Sequence, residues 1–118
     1  MDIINWVFYD EVSVPSNIDE VLVAGEEPIQ AYRTVRDTAV FTNKRIIVVD
    51  SEGITGKKKE MYSIPYTSIE MWSSENAGIL DFTSELQLMT KVATIKISLG
   101  TAVDVRALER IIATERLK

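Results

Sequence analysis

Three consecutive lysines, Lys57, Lys58 and Lys59, stand beside Gly53 and Gly56, and a glycine-bearing loop of this kind is a place where a phosphate or an anionic head group can sit. The same run also reads as an ordinary solvated loop in a chain that is acidic overall. Asp50, Glu52, Asp81 and Glu85 are donors of the type hard cations prefer, but they lack the spacing of an EF-hand loop. No spacing brings two acids together for paired-carboxylate chemistry. The polar stretch Thr42-Asn43-Lys44-Arg45 is a hairpin rather than a site, since Asn43 tolerates the backbone geometry of a tight turn. Histidine and cysteine are both absent. That removes Ser-His-Asp and thiol catalysis, the HExxH metal site, disulfides and Cys-based zinc or iron-sulfur centres. The expectation is a non-enzyme with no cofactor and no metal.

Eighteen acidic and thirteen basic side chains give the 118 residues a net charge of -5, which disfavours nucleic acid as a partner. The distribution is uneven. Residues 1 to 32 hold seven acids and no Lys or Arg, whereas the remainder holds eleven acids and thirteen bases. Either a solvated acidic face results, or an acidic N-terminal segment rests on a more basic body or on a neighbouring subunit. The early cluster Ile3, Ile4, Trp6, Val7 and Phe8 has no basic residue before it and is broken by Asp10 and Glu11, so it does not read as a secretory signal. Apolar runs are far shorter than the roughly 20 residues that span a bilayer. A cytoplasmic chain with no transmembrane segment is expected.

The elements that position these residues follow from periodicity. Ile3, Ile4, Val7 and Phe8 fall on one stripe at helical spacing, and Ser16 or Asn17 followed by Asp19 or Glu20 resembles a helix start, with Gly25 as its stop. Two short helices or turns are therefore expected over residues 1 to 25. After Pro28 the chain becomes rich in Ile, Val, Thr, Tyr and Phe between turn residues, and strands are expected near 28–36, 38–42, 44–50, 59–65, 67–75, 84–90 and 93–99. Wider loops fall at Ser51–Lys58 and Asn76–Gly78. From Thr101, which with Asp104 forms a capping box, Val105, Leu108, Ile111 and Ile112 line one side of a final helix.

Seven antiparallel strands and one terminal amphipathic helix point to a bent partial barrel closed at one end by the helix, with a generic α+β sandwich as the alternative. The succession Arg36-Asp37, then residues 40 to 50 (Val40 through Asp50), Gly53 to Lys58, Ser63-Ile64-Pro65-Tyr66, and Asp81 with Ser84-Glu85-Leu86 resembles the bacterial pleckstrin-homology family from about Gly25 to the C-terminus. The resemblance implies a mainly β (α+β) fold: a seven-stranded antiparallel partial barrel, capped by a C-terminal α-helix and preceded here by short N-terminal helices. It also implies assembly into closed homo-oligomeric rings, typically pentamers, and no particular biochemical activity. The first fourteen residues fall outside the matched pattern. The whole is expected to be one domain over 1–118, with a helical extension at 1–25 and the barrel and capping helix at 26–118. Pleckstrin-homology domains that hold phosphoinositides place bases around a long first loop, but here that connection is only Arg36-Asp37-Thr38.

Alternation along the strands sorts the side chains. Leu86 and Leu88 point inward, as do Ile95, Ile97 and Leu99. Tyr62 and Ile64 face in with Met61 out, and Ile69 and Met71 face in with Trp72 out. Met61, Trp72 and Met89 on outer faces mark a candidate interface, because such residues suit contact surfaces; the alternative is that they are covered by the chain's own N-terminal segment. The function expected is a non-catalytic binding or scaffold module that self-assembles and meets an unidentified protein partner. The alternatives are a weak anion or membrane-surface binder through Lys57, Lys58 and Lys59, or a small carboxylate enzyme.

Overall fold

The structure, a computed structural model, describes residues 2–52, 58–77 and 83–118. Strict alternation shapes its most regular strands: β8 (Ser84–Met89) and β9 (Ala93–Leu99) bury every second side chain, which places Leu86, Leu88, Ile95, Ile97 and Leu99 in the core. β7 (Met71–Glu75) pairs antiparallel with β8, and β8 with β9. The fourth member of this sheet is β1 (Asp2–Phe8), parallel to β9 in a register that runs from Asp2 opposite Ala93 to Phe8 opposite Leu99. A second, five-stranded sheet contains β2 (Asp10–Val12), β3 (Pro28–Arg33), β4 (Thr38–Thr42), β5 (Arg45–Glu52) and β6 (Lys58–Pro65), all antiparallel in that order.

The seven strands expected after Pro28 are all present, with two more before them. Residues 2–8 are a strand, which corrects the helical reading. Ile4, Trp6 and Phe8 alternate onto the core as well as Ile3, Ile4, Val7 and Phe8 fit a helix, and the open edge of β9 decides between the two periods. Residues 1 to 25 are therefore not a helical extension: Ser16–Glu20 forms a 3-10 helix, and β1 and β2 are built into the sheets. The chain crosses from one sheet to the other at Tyr9. There Tyr9 N–H donates to the Arg33 carbonyl at 2.8 Å and Gly100 N–H to the Phe8 carbonyl at 2.8 Å. A Cβ on residue 100 would lie 2.1 Å from the Tyr9 carbonyl oxygen, so the corner admits only glycine.

Between the sheets Phe8, Tyr32 and Phe41 form an aromatic centre. Phe8 stacks on Tyr32 with centroids 5.9 Å apart, and Phe41 meets both edge-on at 6.2 and 5.8 Å. The helix α1 (Val105–Arg116) closes one end with Val105, Leu108 and Ile112. Its cap is Asp104 alone, whose side chain accepts from the Arg106 and Ala107 amides at 3.0 and 3.3 Å. Thr101 is not part of a capping box, because a turn closed by Val103 N–H on the Gly100 carbonyl delays the helix. Arg106 reaches the Ser74 hydroxyl of β7 at 2.6 Å, and Arg116 donates at 2.7 Å to the carbonyl of Ile69, which precedes β7; together they fix the helix to this part of the sheet.

Candidate functional site

Of the lysine run, Lys59 comes out among acids. Lys59 pairs with Asp37 at 3.3 Å, while Asp37 also accepts hydrogen bonds from Ser51 and, at 3.2 Å, from Thr38. Beside it Arg36 lies 3.7 Å from Asp50. Lys58 is exposed at the start of β6, and Lys57 lies outside the described residues. Of the hard-cation donors, Asp50 and Glu85 sit on different sheets and are not brought together; Asp81 too lies outside the described residues.

The candidate contact residues are dispersed. Met61 faces outward from β6, beside Val49, and is 40% exposed. Met89 is half-buried on the outer face of β8, opposite Met71 on β7. Trp72 is the correction: it faces inward, paired with Leu88 and packed against the main core. The reason lies at the join between the 3-10 helix Tyr66–Ser68, which Ile69 N–H closes on the Tyr66 carbonyl at 3.1 Å, and β7, which begins only at Met71. It interrupts the two-residue period, so Ile69 is buried while Met71 emerges 59% exposed.

The two outer sheet faces differ. That of the five-stranded sheet carries Ala31, Val40, Ile47 and Val49, and the chain itself covers them by laying Ile18, Val12, Val14, Val21 and Leu22 across it. This cover is held at a buried ion pair. Glu26, its side chain fully enclosed, accepts from Arg45 Nε at 2.9 Å and Nη2 at 3.0 Å, from the Thr42 hydroxyl at 2.7 Å and from the Val23 amide at 3.1 Å. The Arg45 hydrogen bonds are the main reason the Glu26 carboxyl is held down to about 2; burial opposes them. Arg45 also donates to the Val21 carbonyl at 2.7 Å. With Asp10 on Arg33 at 2.8 Å, the acidic N-terminal segment does meet bases of its own chain.

On the outer face of the four-stranded sheet, the registers line up Ile3, Thr94, Met89 and Met71 in one row across β1, β9, β8 and β7. Ile3 is 60% exposed. The rows beyond are Asn5, Lys96, Gln87 and Ser73, then Val7, Ser98, Glu85 and Glu75. Between the sheets, β1 and β6 are the end strands, and a cleft of about 460 Å³ opens between them. Trp6 and Tyr62 meet edge-on at its wall, centroids 5.7 Å apart. Ile3, Met71 and this cleft escaped the sequence reading; the alternation of Ile4, Trp6 and Phe8 was the signal that could have revealed two of the three.

Two sheets bent around one core and closed at an end by a C-terminal helix define a pleckstrin-homology-like domain, an open rather than closed barrel. The Bacterial PH domain family matches residues 1–115, and the chain belongs to that family. The match includes the first fourteen residues, which corrects the expectation that they depart from the pattern. The chain is 49% identical over 76 residues to the uncharacterised protein YjqA of Bacillus subtilis (strain 168), covering 64% of this chain but only 61% of YjqA. It is 30% identical over 95 residues to YozO of the same organism, covering 80% of this chain and 82% of YozO. Among solved structures, a DUF1696-family protein with a pleckstrin-homology domain from Shewanella loihica PV-4 is similar with a TM-score of 0.77 and 31% identity, over 96% of this chain and 98% of that one. Domains of this family are generally non-catalytic binding modules.

Proposed function

We propose that this chain is a non-catalytic module that associates with further copies of itself into a closed homo-oligomeric ring, a pentamer by family resemblance, and presents the assembled surface to another macromolecule in the cytoplasm. The observation that carries the reading is the contrast between the two outer faces. One is covered by the chain's own residues 12–22, and the other leaves Ile3 and Met71 bare beside Met89. Methionine and isoleucine in a row of this kind suit a contact surface. Met61, next to the covered patch, extends the candidate interface on the other sheet. The anion-binding alternative at Lys57, Lys58 and Lys59 is weakened by the engagement of Lys59 with Asp37.

Sedimentation velocity at tens of micromolar tests the proposal. An oligomer is expected, and Met71→Glu is expected to dissociate it with the unfolding midpoint nearly unchanged, because residue 71 is on the outside and an unpaired carboxylate is costly only where the contact buries it. A wild-type chain that stays monomeric overturns the assembly. Unchanged assembly in Met71→Glu and Ile3→Glu removes this face.

A further inference from the structure

The cleft between β1 and β6 is apolar in its depths and closed to charge. Its floor and walls are Ile4 and Trp6 of β1, Tyr62 and Ile64 of β6, and Ala93 and Ile95 of β9, the strand that pairs with β1. Three of the hydroxyls at its rim are already engaged within the chain. Ser63 accepts from Arg45 at 3.1 Å, Ser68 donates to the Pro65 carbonyl at 2.7 Å, and Thr90 donates to the Ala93 carbonyl at 2.9 Å while accepting from the amides of Val92 and Ala93. The two charged residues at the rim, Glu70 and Lys91, stand 3.7 Å from each other. In a chain of net charge -5 this is therefore an electrically balanced recess. Its volume of about 460 Å³ falls within the range of about 300 to 1,000 Å³ typical of small-molecule sites, which occur in the mouths of β-barrels.

We infer that this cleft is a binding site for an uncharged, largely apolar small molecule carrying a ring or a short alkyl chain. Complementarity argues against an ionised ligand: the cleft offers no unmatched charge, and burying a carboxylate or ammonium among Ile4, Ile64 and Ile95 would leave it unpaired. Water fares poorly in the same place, since the Ser63, Ser68 and Thr90 hydroxyls are committed and the aliphatic walls Ile4, Ile64, Ala93 and Ile95 offer no hydrogen bonds. The edge-on pair of Trp6 and Tyr62 presents aromatic surface against which a further ring stacks or meets an edge. The site is separate from the outer face of the four-stranded sheet, so it stands whether or not the chain assembles.

Titration of the isotopically labelled protein by NMR tests this with three matched probes, 2-naphthol, n-octanol and octanoate. Saturable shifts are expected at Trp6, Tyr62 and Ile95 with the first two, at a Kd on the order of 0.1 mM for molecules of about ten heavy atoms. Octanoate is expected to bind at least about tenfold more weakly, because its charge must be desolvated. Thr67→Trp, a filling substitution at an exposed rim position, should abolish the shifts without the risk to folding that Trp6→Ala carries. Absence of saturable shifts up to 1 mM overturns the inference. Octanoate binding as tightly as octanol overturns it in favour of an anion site at Lys91. A capped hexapeptide of alternating Val and Thr that binds more tightly than either neutral probe, with shifts along the whole of β6, overturns it in favour of strand addition. Dilution-dependent shifts confined to the cleft in the absence of any probe do so in favour of a second copy.

Discussion

Replacing Glu26 by Gln removes one charge from the enclosed pair and keeps the shape, but it leaves a single accepting oxygen: if that oxygen keeps the Thr42 hydroxyl and Arg45 Nε, the amide NH2 faces the Val23 amide and Arg45 Nη2, two donors it cannot satisfy. In the folded chain the Glu26 carboxyl is held down to about 2 against an ordinary value of 4.5. At about 1.4 kcal/mol for each tenfold change, that gap amounts to about 3 kcal/mol. Arg45 is one-fifth exposed, and solvent screening there brings the figure nearer 2 kcal/mol. A carboxyl whose folded pKa is depressed stabilises the fold above its unfolded pKa, and the contribution fades as pH falls from about 5 towards 2. At pH 7, Glu26→Gln should therefore lower the urea midpoint by about 1 M for a slope near 2 kcal/mol per molar. The gap between variant and wild type should close as both are titrated to pH 2. A difference below about 0.5 kcal/mol at pH 7, or one that persists undiminished at pH 2, would refute the assignment of this pair as the clasp of the N-terminal cover.

Gly100→Ala should cost several kcal/mol, because the added methyl meets the Tyr9 carbonyl backbone, and hydrogen exchange should show β1 loosening first. Asp104→Ala removes two capping bonds from α1 and should cost about 1 kcal/mol in chemical denaturation. Trp72→Glu places a carboxylate against the core and should destabilise the chain strongly, seen by circular dichroism, where Met71→Glu leaves it folded. Alkaline absorbance titration should find two late phenols: burial first, then Glu11 and Asp104, raises Tyr32 to about 12, and burial with Glu115 and Glu26 raises Tyr66 further. Because the neutral phenols are favoured in the fold, their contribution is complete below pH 10 and lost as pH rises through the shifted values.

Strands with a clean two-residue period were legible because one face is wet and the other dry, and Leu86, Leu88, Ile95, Ile97 and Leu99 each carried that signal in sequence. Where a short turn inserts an odd step, the signal inverts downstream: the join between the 3-10 helix Tyr66–Ser68 and β7 leaves Ile69 inward but reverses Met71 and Trp72 relative to an unbroken strand from 67. The outer-face candidates suffered most from this, since exposure is the property that a one-residue slip exchanges. The Glu26–Arg45 pair was not legible at all. Nineteen positions separate its members, and no local pattern ties an acid before Pro28 to a base after a hairpin.

The N-terminal strand shows why the clefts and faces of this protein depend on nonlocal pairing. Residues 2–8 satisfy helical and extended periods equally, and the parallel ladder to β9 selects the extended one because it meets the hydrogen-bonding needs of an otherwise open edge. That choice has three consequences at once. It brings Ile4, Trp6 and Phe8 into the core side of the sheet, it turns Ile3 outward into the row with Met89 and Met71, and it places Trp6 against Tyr62 across the mouth between the sheets. A helix over the same residues would carry the same apolar side chains yet create neither the bare row nor the aromatic wall. Both proposed contact regions therefore rest on β1, and a substitution that detaches it, such as Gly100→Ala, is expected to abolish self-association and binding of 2-naphthol together, whereas Met71→Glu and Thr67→Trp each abolish one.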